Sequence, residues 1–356
     1  MNTTENEAWD AGGADLAVLH RALTAVDGFN RVLPPDLEPM RAKGLIHAHV
    51  RVARTGAVLR IPRLSSFGYD AAANLSYQAT CFERAAPSGH VPVLIATIAP
   101  APGIPWGALV ISEIEGGTPP VPAGLTAIAQ ALVAIHALPV PDEDARSPVP
   151  SHRDPVAATL DVIEAQARFL PDAGLMPAAL AQIGEELAHA RAFAAKAVDA
   201  DIPVTLVGTD THPGNFMMQP DGRAVFVDLE KMLYGAPAID LAHATVYTST
   251  MWDEDVATAL SGDHVAAFYQ TYFDALPGDL AARIRPWCAP LRRFTWLRTT
   301  TWCAKWRVES RDGAAWSAAQ HDPAYIASVR SRVADYFDPE TIAATRAGFD
   351  SATDNL

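Results

Sequence analysis

Three oxygen-bearing side chains in the middle of the chain have the types and spacing that metal-assisted phosphoryl transfer requires. Asp210 and Asn215 stand five residues apart within residues 208–216, and Asp228 ends a strand-like apolar run at residues 224–227. Because Mg²⁺ prefers hard oxygen ligands, the Asn215 carbonyl and the Asp228 carboxylate could hold the ion against phosphate oxygens. Asp210 is then the candidate catalytic base, which would orient an acceptor hydroxyl and take its proton.

These residues resemble the motifs of the aminoglycoside phosphotransferase and choline kinase family, which read H-G-D-x-H-x-x-N, then I-D-x-E and D-L-A. The matching residues of this chain are Asp210, His212, Asn215, Asp228, Glu230, Asp240, Leu241 and Ala242. The resemblance is specific over residues 204–242 and weaker over residues 44–138. An isolated run of turn-forming residues could be only a well-capped loop, but three motifs in the right order favour the resemblance.

The resemblance implies an α+β, bilobal protein-kinase-like fold with a small antiparallel sheet and one main helix in the N-terminal lobe. It implies a larger, mostly helical C-terminal lobe. It also implies transfer of a γ-phosphoryl group from ATP, as the Mg²⁺ complex, to a hydroxyl of a small molecule, with GTP as an alternative donor. The acceptor could be aminoglycoside-like, choline-like, a sugar or an amino alcohol, since the fold hosts many acceptors.

Three further residues are expected to support the catalytic loop. The resemblance implies that Asp240 braces the loop rather than taking part in the chemistry. His212 could be a loop-packing residue. Glu230 could be either a neighbour of the metal or a carboxylate near the positive end of a helix.

The catalytic loop departs from the family pattern at two positions. Gly208 stands where the family has His, and Thr209 stands where it has Gly. Because the loop lacks the usual imidazole, a rival interpretation is a pseudokinase-like module that binds a nucleotide or metabolite without turnover. A magnesium-dependent hydrolase that uses Asp210 and Asp228 is a third hypothesis, which leaves the order of the lobes unexplained.

The residues that would hold the nucleotide phosphates also depart from the pattern. Arg60 is the best match for the expected lysine, with Arg63 second, although Arg60 could instead be a solvent-facing strand residue. Arginine keeps the charge but not the compact ammonium geometry. Gln78 is the best match for the paired glutamate, with Glu83 as the charged alternative. No G-x-G-x-x-G run occurs over residues 40–56.

The segment 112–117 resembles the family's connection between the lobes. Backbone groups of Glu113 and Ile114 would then meet the adenine. A plain β-turn before the next helix is the competing interpretation.

Periodicity and turn signals predict the elements that position these residues. They indicate a hairpin within residues 44–61, strands over 91–98 and 107–111, and helices over 15–26, 71–86, 125–138, 154–169, 177–198, 239–247 and 256–275. The predicted domains are an N-terminal extension with a docking helix, a nucleotide-binding lobe, a hinge and a catalytic and acceptor-binding lobe. Their residues are 1–40, 41–112, 113–118 and 119–356.

Two segments of the C-terminal lobe could bind the acceptor. Trp302 and Trp306 belong to a stretch rich in aromatic and cationic residues, which could fill the core. If the stretch faces an acceptor instead, its arginines would oppose a cation and favour an anionic or sugar-like compound. Trp252 and Asp253 belong to an acidic segment that would suit an aminoglycoside or an amine. Exposed acids at a helix start would explain the acidic segment equally well.

The composition limits the class of protein. Among 356 residues, 27 lysines and arginines against 41 acidic residues give a net charge of −14, which disfavours nucleic-acid binding. The three cysteines are widely spaced with no C-x-x-C pair, as is typical of a reducing compartment. Residues 1–10 have no apolar stretch, and no apolar run reaches membrane-spanning length. The sequence therefore predicts a cytoplasmic protein with a small-molecule partner, not a membrane or nucleic-acid partner.

Overall fold

The computed structural model describes residues 14–40, 44, 46–311 and 323–351. Residues 1–10, from which the lack of an export signal is predicted, lie outside them. The chain divides into two compact units, Met1–Glu115 and Gly116–Leu356. The predicted domain boundaries at residues 40, 112 and 118 stay a prediction. Within the described residues, no helix has both the length and the apolarity needed to cross a membrane.

The first unit contains an antiparallel five-stranded sheet and two α-helices. Its helices are α1 (Leu16–Thr24) and α2 (Ala71–Ala85). Its strands, in the spatial order β1-β2-β3-β5-β4, are β1 (Leu37–Pro39), β2 (His47–Val52), β3 (Ala57–Pro62), β4 (Leu94–Ile98) and β5 (Ala108–Ser112). The predicted hairpin and strands are present. The short strand β1 was not predicted, since it is three residues long and ends in proline.

Local chemistry explains how the first unit's elements begin and what they bury. Asp15 and Asp70 cap α1 and α2: the Asp15 carboxylate accepts the N–H groups of Ala17 and Val18, and the Asp70 carboxylate accepts that of Ala73. Strand β3 lies between β2 and β5, and all six of its residues are buried. Such a strand shows no hydrophobic-polar alternation, so a polar residue within it can be buried too.

The second unit is mostly helical. Its helices are α3 (Leu125–His136), α4 (Pro155–Ala167), α5 (Pro177–Lys196), α6 (Ala238–His243), α7 (Tyr247–Thr250), α8 (Gly262–Ala275), α9 (Gly278–Glu309), α10 (Pro323–Tyr336) and α11 (Pro339–Ser351). Its strands are β6 (Thr205–Val207), β7 (Phe216–Met218), β8 (Ala224–Phe226) and β9 (Leu233–Gly235). The long helix α9 packs against α4, α5 and α6 and buries Trp296.

Two predicted helices differ from the observed ones by more than two residues at one end. The helix predicted over 256–275 begins only at Gly262, because the Ser261 hydroxyl accepts the His264 N–H and caps it there. The helix predicted over 239–247 ends at His243, and the extended backbone of Val246 separates it from α7.

Candidate active site

The loop that carries Asp210 is anchored at both ends by short antiparallel pairs. Strand β6 enters the loop and pairs with β9, and β7 leaves it and pairs with β8. Phe216 lies opposite Phe226, and the Val227 N–H donates to the Asn215 carbonyl at 2.9 Å. Asn215 and Asp228 therefore lie at the same end of the β7–β8 hairpin.

Asp240, at the start of α6, is fully buried beneath this loop. Its two carboxylate oxygens accept the N–H groups of Gly208 and Thr209, each at 2.7 Å. His136 of α3 donates from Nε2 to Asp240 at 3.1 Å, which leaves its Nδ1 to accept the Tyr272 hydroxyl at 2.8 Å. The buried carboxylate thus fixes the backbone of the two residues that precede Asp210.

Thr209 adopts a left-handed backbone conformation with φ of 57°. Such a conformation is unusual for a β-branched residue. Besides the bond to Asp240, the Thr209 hydroxyl donates to the Lys231 carbonyl at 2.9 Å. The Thr209 carbonyl accepts a hydrogen bond from Nη1 of Arg298, a residue of α9, at 3.2 Å. These three hydrogen bonds hold the loop in a shape that glycine would adopt at lower cost.

Gly208 has no room for a side chain. A Cβ atom there would lie 2.7 Å from Cγ2 of Thr211 and 2.9 Å from the Phe226 ring. Aromatic packing by Phe226 therefore fills the space beside the position where the family has histidine.

We expect Gly208→His to weaken the protein rather than to repair a missing catalytic group. Overpacking a close-packed region costs about 1–3 kcal/mol of unfolding free energy. Chemical denaturation would measure this loss, with Gly184→His as the control because nothing lies within 4 Å of a Cβ at that helical position. Unchanged stability with faster phosphoryl transfer would contradict the expectation.

Asp210 lies in a charged cluster but remains partly accessible, with 22% of its side chain exposed. Lys231 donates from Nζ to Oδ2 of Asp210 at 2.6 Å. Burial alone would raise the pKa of Asp210, but Lys231, His212 and His243 outweigh burial and lower that pKa. The carboxylate is therefore ionised at neutral pH.

The side chains of Asn215 and Asp228 offer suitable ligands for a magnesium ion. Asn215 donates from Nδ2 to the Asp210 carbonyl at 2.8 Å, which leaves its amide oxygen as the atom that can face a cation. Asp228 and Glu230 are two carboxylates close to Lys231. Burial alone would lower the pKa of the Lys231 ammonium, and the negative charges of Asp228 and Glu230 act to raise it. The set consists of hard oxygen donors, which fits Mg²⁺.

His243, at the end of α6, is a buried imidazole beside this cluster. Its Nδ1 and the Ser249 hydroxyl are hydrogen-bonded at 3.0 Å. Burial lowers its pKa from 6.5 to about 4; Asp210 and Asp240 oppose that shift, and Arg298 and His212 add to it.

This pKa predicts a loss of stability in acid. The unfolded chain takes up a proton at this histidine below pH 6.5, whereas the folded protein does so only near pH 4. Unfolding free energy should therefore fall between pH 6.5 and 4, by up to about 3 kcal/mol at about 1.4 kcal/mol per unit. Denaturation across this range should show a shallower dependence in His243→Asn. The exposed His189→Asn is the control, and equal slopes in all three proteins would contradict the assignment.

The acidic segment predicted for acceptor binding lies against the catalytic loop. A side chain at Gly214 would overlap the Asp253 carboxylate, so the two segments are in direct contact. The Arg332 guanidinium of α10 stands 5.3 Å from the centre of the Trp252 ring and donates to the Trp252 carbonyl. Trp252 meets Trp302 edge to face, with ring centres 5.5 Å apart.

The two tryptophans predicted on α9 differ in exposure. Trp306 is buried, whereas Trp302 is half-buried and lies between Trp252 and Trp306. Trp302 thus joins the core of α9 to the segment beside the catalytic loop.

Three residues near Asp210, namely Lys231, Arg298 and Tyr325, were not predicted to lie at the catalytic loop. Burial raises the pKa of the Tyr325 hydroxyl, and Asp253, Lys231 and Asp210 also act on it, so α10 brings it near the cluster. Lys231 directly follows the D-x-E motif, which was an available signal. Arg298 is 89 positions from Thr209, and no motif connects them.

In the first unit, the residues predicted for phosphate binding form a chain of hydrogen bonds. Arg60 donates from Nη2 to Nδ1 of His47 at 3.1 Å, and His47 donates from Nε2 to the Gln78 side-chain oxygen at 3.1 Å. Arg60 is 3% exposed, so its interpretation as a solvent-facing residue is wrong. Arg60 and Gln78 are thus connected through an imidazole that sequence analysis did not identify.

The predicted hinge residues lie at the end of the first unit. The Glu113 carboxylate accepts Nε of Arg51 at 2.7 Å, and its N–H donates to the Gly56 carbonyl at 2.7 Å. Ile114 is half-buried.

Comparisons with known proteins give a consistent result for most of the chain. The model of a family described as the phosphotransferase enzyme family matches residues 41–287. A search of curated protein sequences gave no significant match.

Similar solved structures include an ethanolamine kinase from Plasmodium vivax, with a TM-score of 0.61 and 13% identity over 94% of this chain and 89% of that chain. A spectinomycin phosphotransferase solved with ADP and spectinomycin has a TM-score of 0.58 and 11% identity over 93% and 98%. An aminoglycoside 2'-phosphotransferase solved with GDP has a TM-score of 0.56 and 15% identity over 90% and 99%. At these identities the similarity shows the fold, which is the predicted α+β, protein-kinase-like fold.

Proposed function

Because the chain belongs to the phosphotransferase enzyme family, we propose that it moves the γ-phosphoryl group of ATP to a hydroxyl group of a small molecule. One observation carries the proposal. Asp210, Asn215 and Asp228 lie on a loop and hairpin whose backbone is fixed by buried hydrogen bonds. Fixed polar groups around an ionised carboxylate suit phosphoryl transfer, which depends on positioning and charge neutralisation.

Each of the three residues has a role in the proposed reaction. Asp210 orients the acceptor hydroxyl and receives its proton. Asn215 and Asp228 would hold Mg²⁺ through oxygen atoms. The ion, when bound, neutralises charge on the phosphate oxygens. His212, Glu230 and Asp240 support the loop.

We propose that residues of the first unit bind the nucleotide. The buried Arg60 supplies a positive charge for the phosphates, and Gln78 supports it through His47. Backbone groups of Glu113 and Ile114 are proposed to meet the base. The relatives solved with ADP and GDP are consistent with either purine nucleotide, so GTP stays an alternative donor.

The proposed acceptor site lies beside Asp253, with Trp252 and Trp302 as its aromatic side and the buried Trp306 packed behind Trp302. Asp253 places a carboxylate directly against the catalytic loop, which favours an acceptor that carries a positively charged nitrogen near its hydroxyl group. Aminoglycoside-like, choline-like and amino-alcohol acceptors meet this condition, and a neutral sugar does so less well. We also propose a cytoplasmic location, where ATP is available.

The experiment is a nucleoside diphosphate release assay over a panel of cationic and neutral hydroxyl compounds, with Asp228→Ala measured in parallel. The proposal expects release that depends on one class of acceptor, a phosphate ester identified by phosphorus NMR, and loss of both in Asp228→Ala. Nucleotide binding without turnover on the whole panel would favour the pseudokinase-like module. Acceptor-independent phosphate release would favour a hydrolase.

A further inference from the structure

We propose that Lys231 is a further catalytic residue, whose ammonium group moves from Asp210 to the oxygens of the phosphoryl group in transfer. This inference rests on the proposed function of the same site. It assigns a chemical role to a residue that follows the D-x-E motif and that the motif itself does not include.

The position of Lys231 combines a fixed backbone with a mobile charge. Its carbonyl accepts the Thr209 hydroxyl at 2.9 Å, which fixes the backbone to the catalytic loop. Its Nζ lies 2.6 Å from Oδ2 of Asp210 and 3.6 Å from Oε1 of Glu230, and 29% of the side chain is exposed. A lysine carries its charge on a flexible four-carbon stem with three donors, so the ammonium can change partner while the loop stays in place.

The neighbouring cationic groups are less suited to this role. Arg298 is engaged with the Thr209 carbonyl beneath the loop. His212 and His243 are buried side chains, so neither imidazole is exposed enough to turn toward a phosphoryl group. Arg332 is held by Trp252 and Glu254. Among these groups, Lys231 is thus the cation that is both partly exposed and in contact with Asp210.

The Lys231 side chain is long enough to bring its ammonium group to the reacting atoms. The Asp210 carboxylate must lie about 3 Å from the acceptor hydroxyl to receive its proton. The hydroxyl oxygen must lie about 3–3.5 Å from the phosphorus for in-line attack. Since the ammonium already contacts Asp210, a rotamer change of Lys231 is enough to bring it to the phosphoryl oxygens.

The proposed step balances in atoms and charge. A bond forms between the acceptor oxygen and the γ-phosphorus, and the bond from that phosphorus to the bridging oxygen breaks. The departing nucleoside diphosphate keeps the electron pair, and Asp210 receives the acceptor proton. Lys231 keeps its own protons and donates hydrogen bonds to the phosphoryl oxygens. Its departure from Oδ2 also opens that oxygen to the acceptor hydroxyl.

The test compares Lys231→Gln, Lys231→Met and Lys231→Arg, with the exposed Lys196→Met as the matched control. Glutamine can still donate to Asp210 but has no charge, so it separates a catalytic charge from a structural hydrogen bond. We expect kcat to fall by about 100-fold in Lys231→Gln and Lys231→Met, as for loss of one transition-state donor. The nucleotide KM should stay within threefold, and Lys231→Arg should recover at least tenfold of the lost kcat.

Two results would overturn the role of Lys231. One is a kcat within threefold of wild type in Lys231→Gln. The other is an equal loss of kcat in Lys231→Gln and Lys231→Arg that parallels a loss of thermal stability in both variants, which would indicate a structural role. Absence of acceptor-dependent transfer in the wild-type protein would instead overturn the proposed function, and this inference with it. Nucleotide-induced thermal shifts of each variant identify any that failed to fold.

Discussion

Asp210→Asn is expected to lower kcat for phosphoryl transfer by about 10³-fold, within the range that a positioned base contributes. The amide cannot take up the acceptor proton, and it cannot form the ion pair that Lys231 makes at 2.6 Å. Because Asp210 is not assigned to the metal, the nucleotide KM should change by less than threefold. Steady-state kinetics at saturating acceptor would measure both constants.

The exposed turn residue Asp221→Asn is the control for this substitution. It changes the same chemical group outside the catalytic loop and should leave both constants unchanged. A wild-type kcat in Asp210→Asn would remove Asp210 from the role of base. A selective rise in the nucleotide KM would instead place Asp210 among the nucleotide or metal ligands.

Asp240→Asn is expected to be the most destabilising change near the site. Both backbone donors and His136 point at its two oxygens, so an amide nitrogen must face at least one donor. Leaving a buried donor unsatisfied costs about 1–3 kcal/mol, and a loss of about 3 kcal/mol corresponds to a fall in Tm of about 10 °C for a unit of this size. The catalytic rate should fall as well, since Thr209 loses a bond that holds its left-handed backbone.

Thermal unfolding measures this prediction, with Asp263→Asn as the control because that residue is exposed in the first turn of α8. A Tm within 2 °C of wild type in Asp240→Asn would show that the Asp240 carboxylate does not stabilise the catalytic loop. Reduced activity with an unchanged Tm would indicate that Asp240 takes part in the reaction rather than stabilising the loop.

Local patterns account for part of the candidate site. Asp210, Asn215 and Asp228 are close because a tight loop and a two-stranded hairpin separate them, and both are encoded within about twenty residues of sequence. The hairpin of β2 and β3 was predictable in the same way from the Thr55-Gly56 turn. Each of these features depends on neighbours in sequence.

Contacts between distant segments could not be predicted from such patterns. The bonds from Arg298 to Thr209, and from His136 to Asp240, join residues 89 and 104 positions apart. The lack of a side chain at Gly208 suggested a missing catalytic group, but only the position of the Phe226 ring shows that the space is filled. Arg60 is buried because β3 is a central strand, which depends on how the whole sheet pairs.

The most direct test of the magnesium and nucleotide site is the thermal midpoint with ATP, with and without Mg²⁺, in wild type and Asp228→Ala. Ligand at a hundred times its dissociation constant should stabilise the folded protein by about 2.7 kcal/mol. The proposed function predicts a shift that requires Mg²⁺ and is lost in Asp228→Ala. No shift at millimolar nucleotide, or one that Asp228→Ala retains in full, would contradict it.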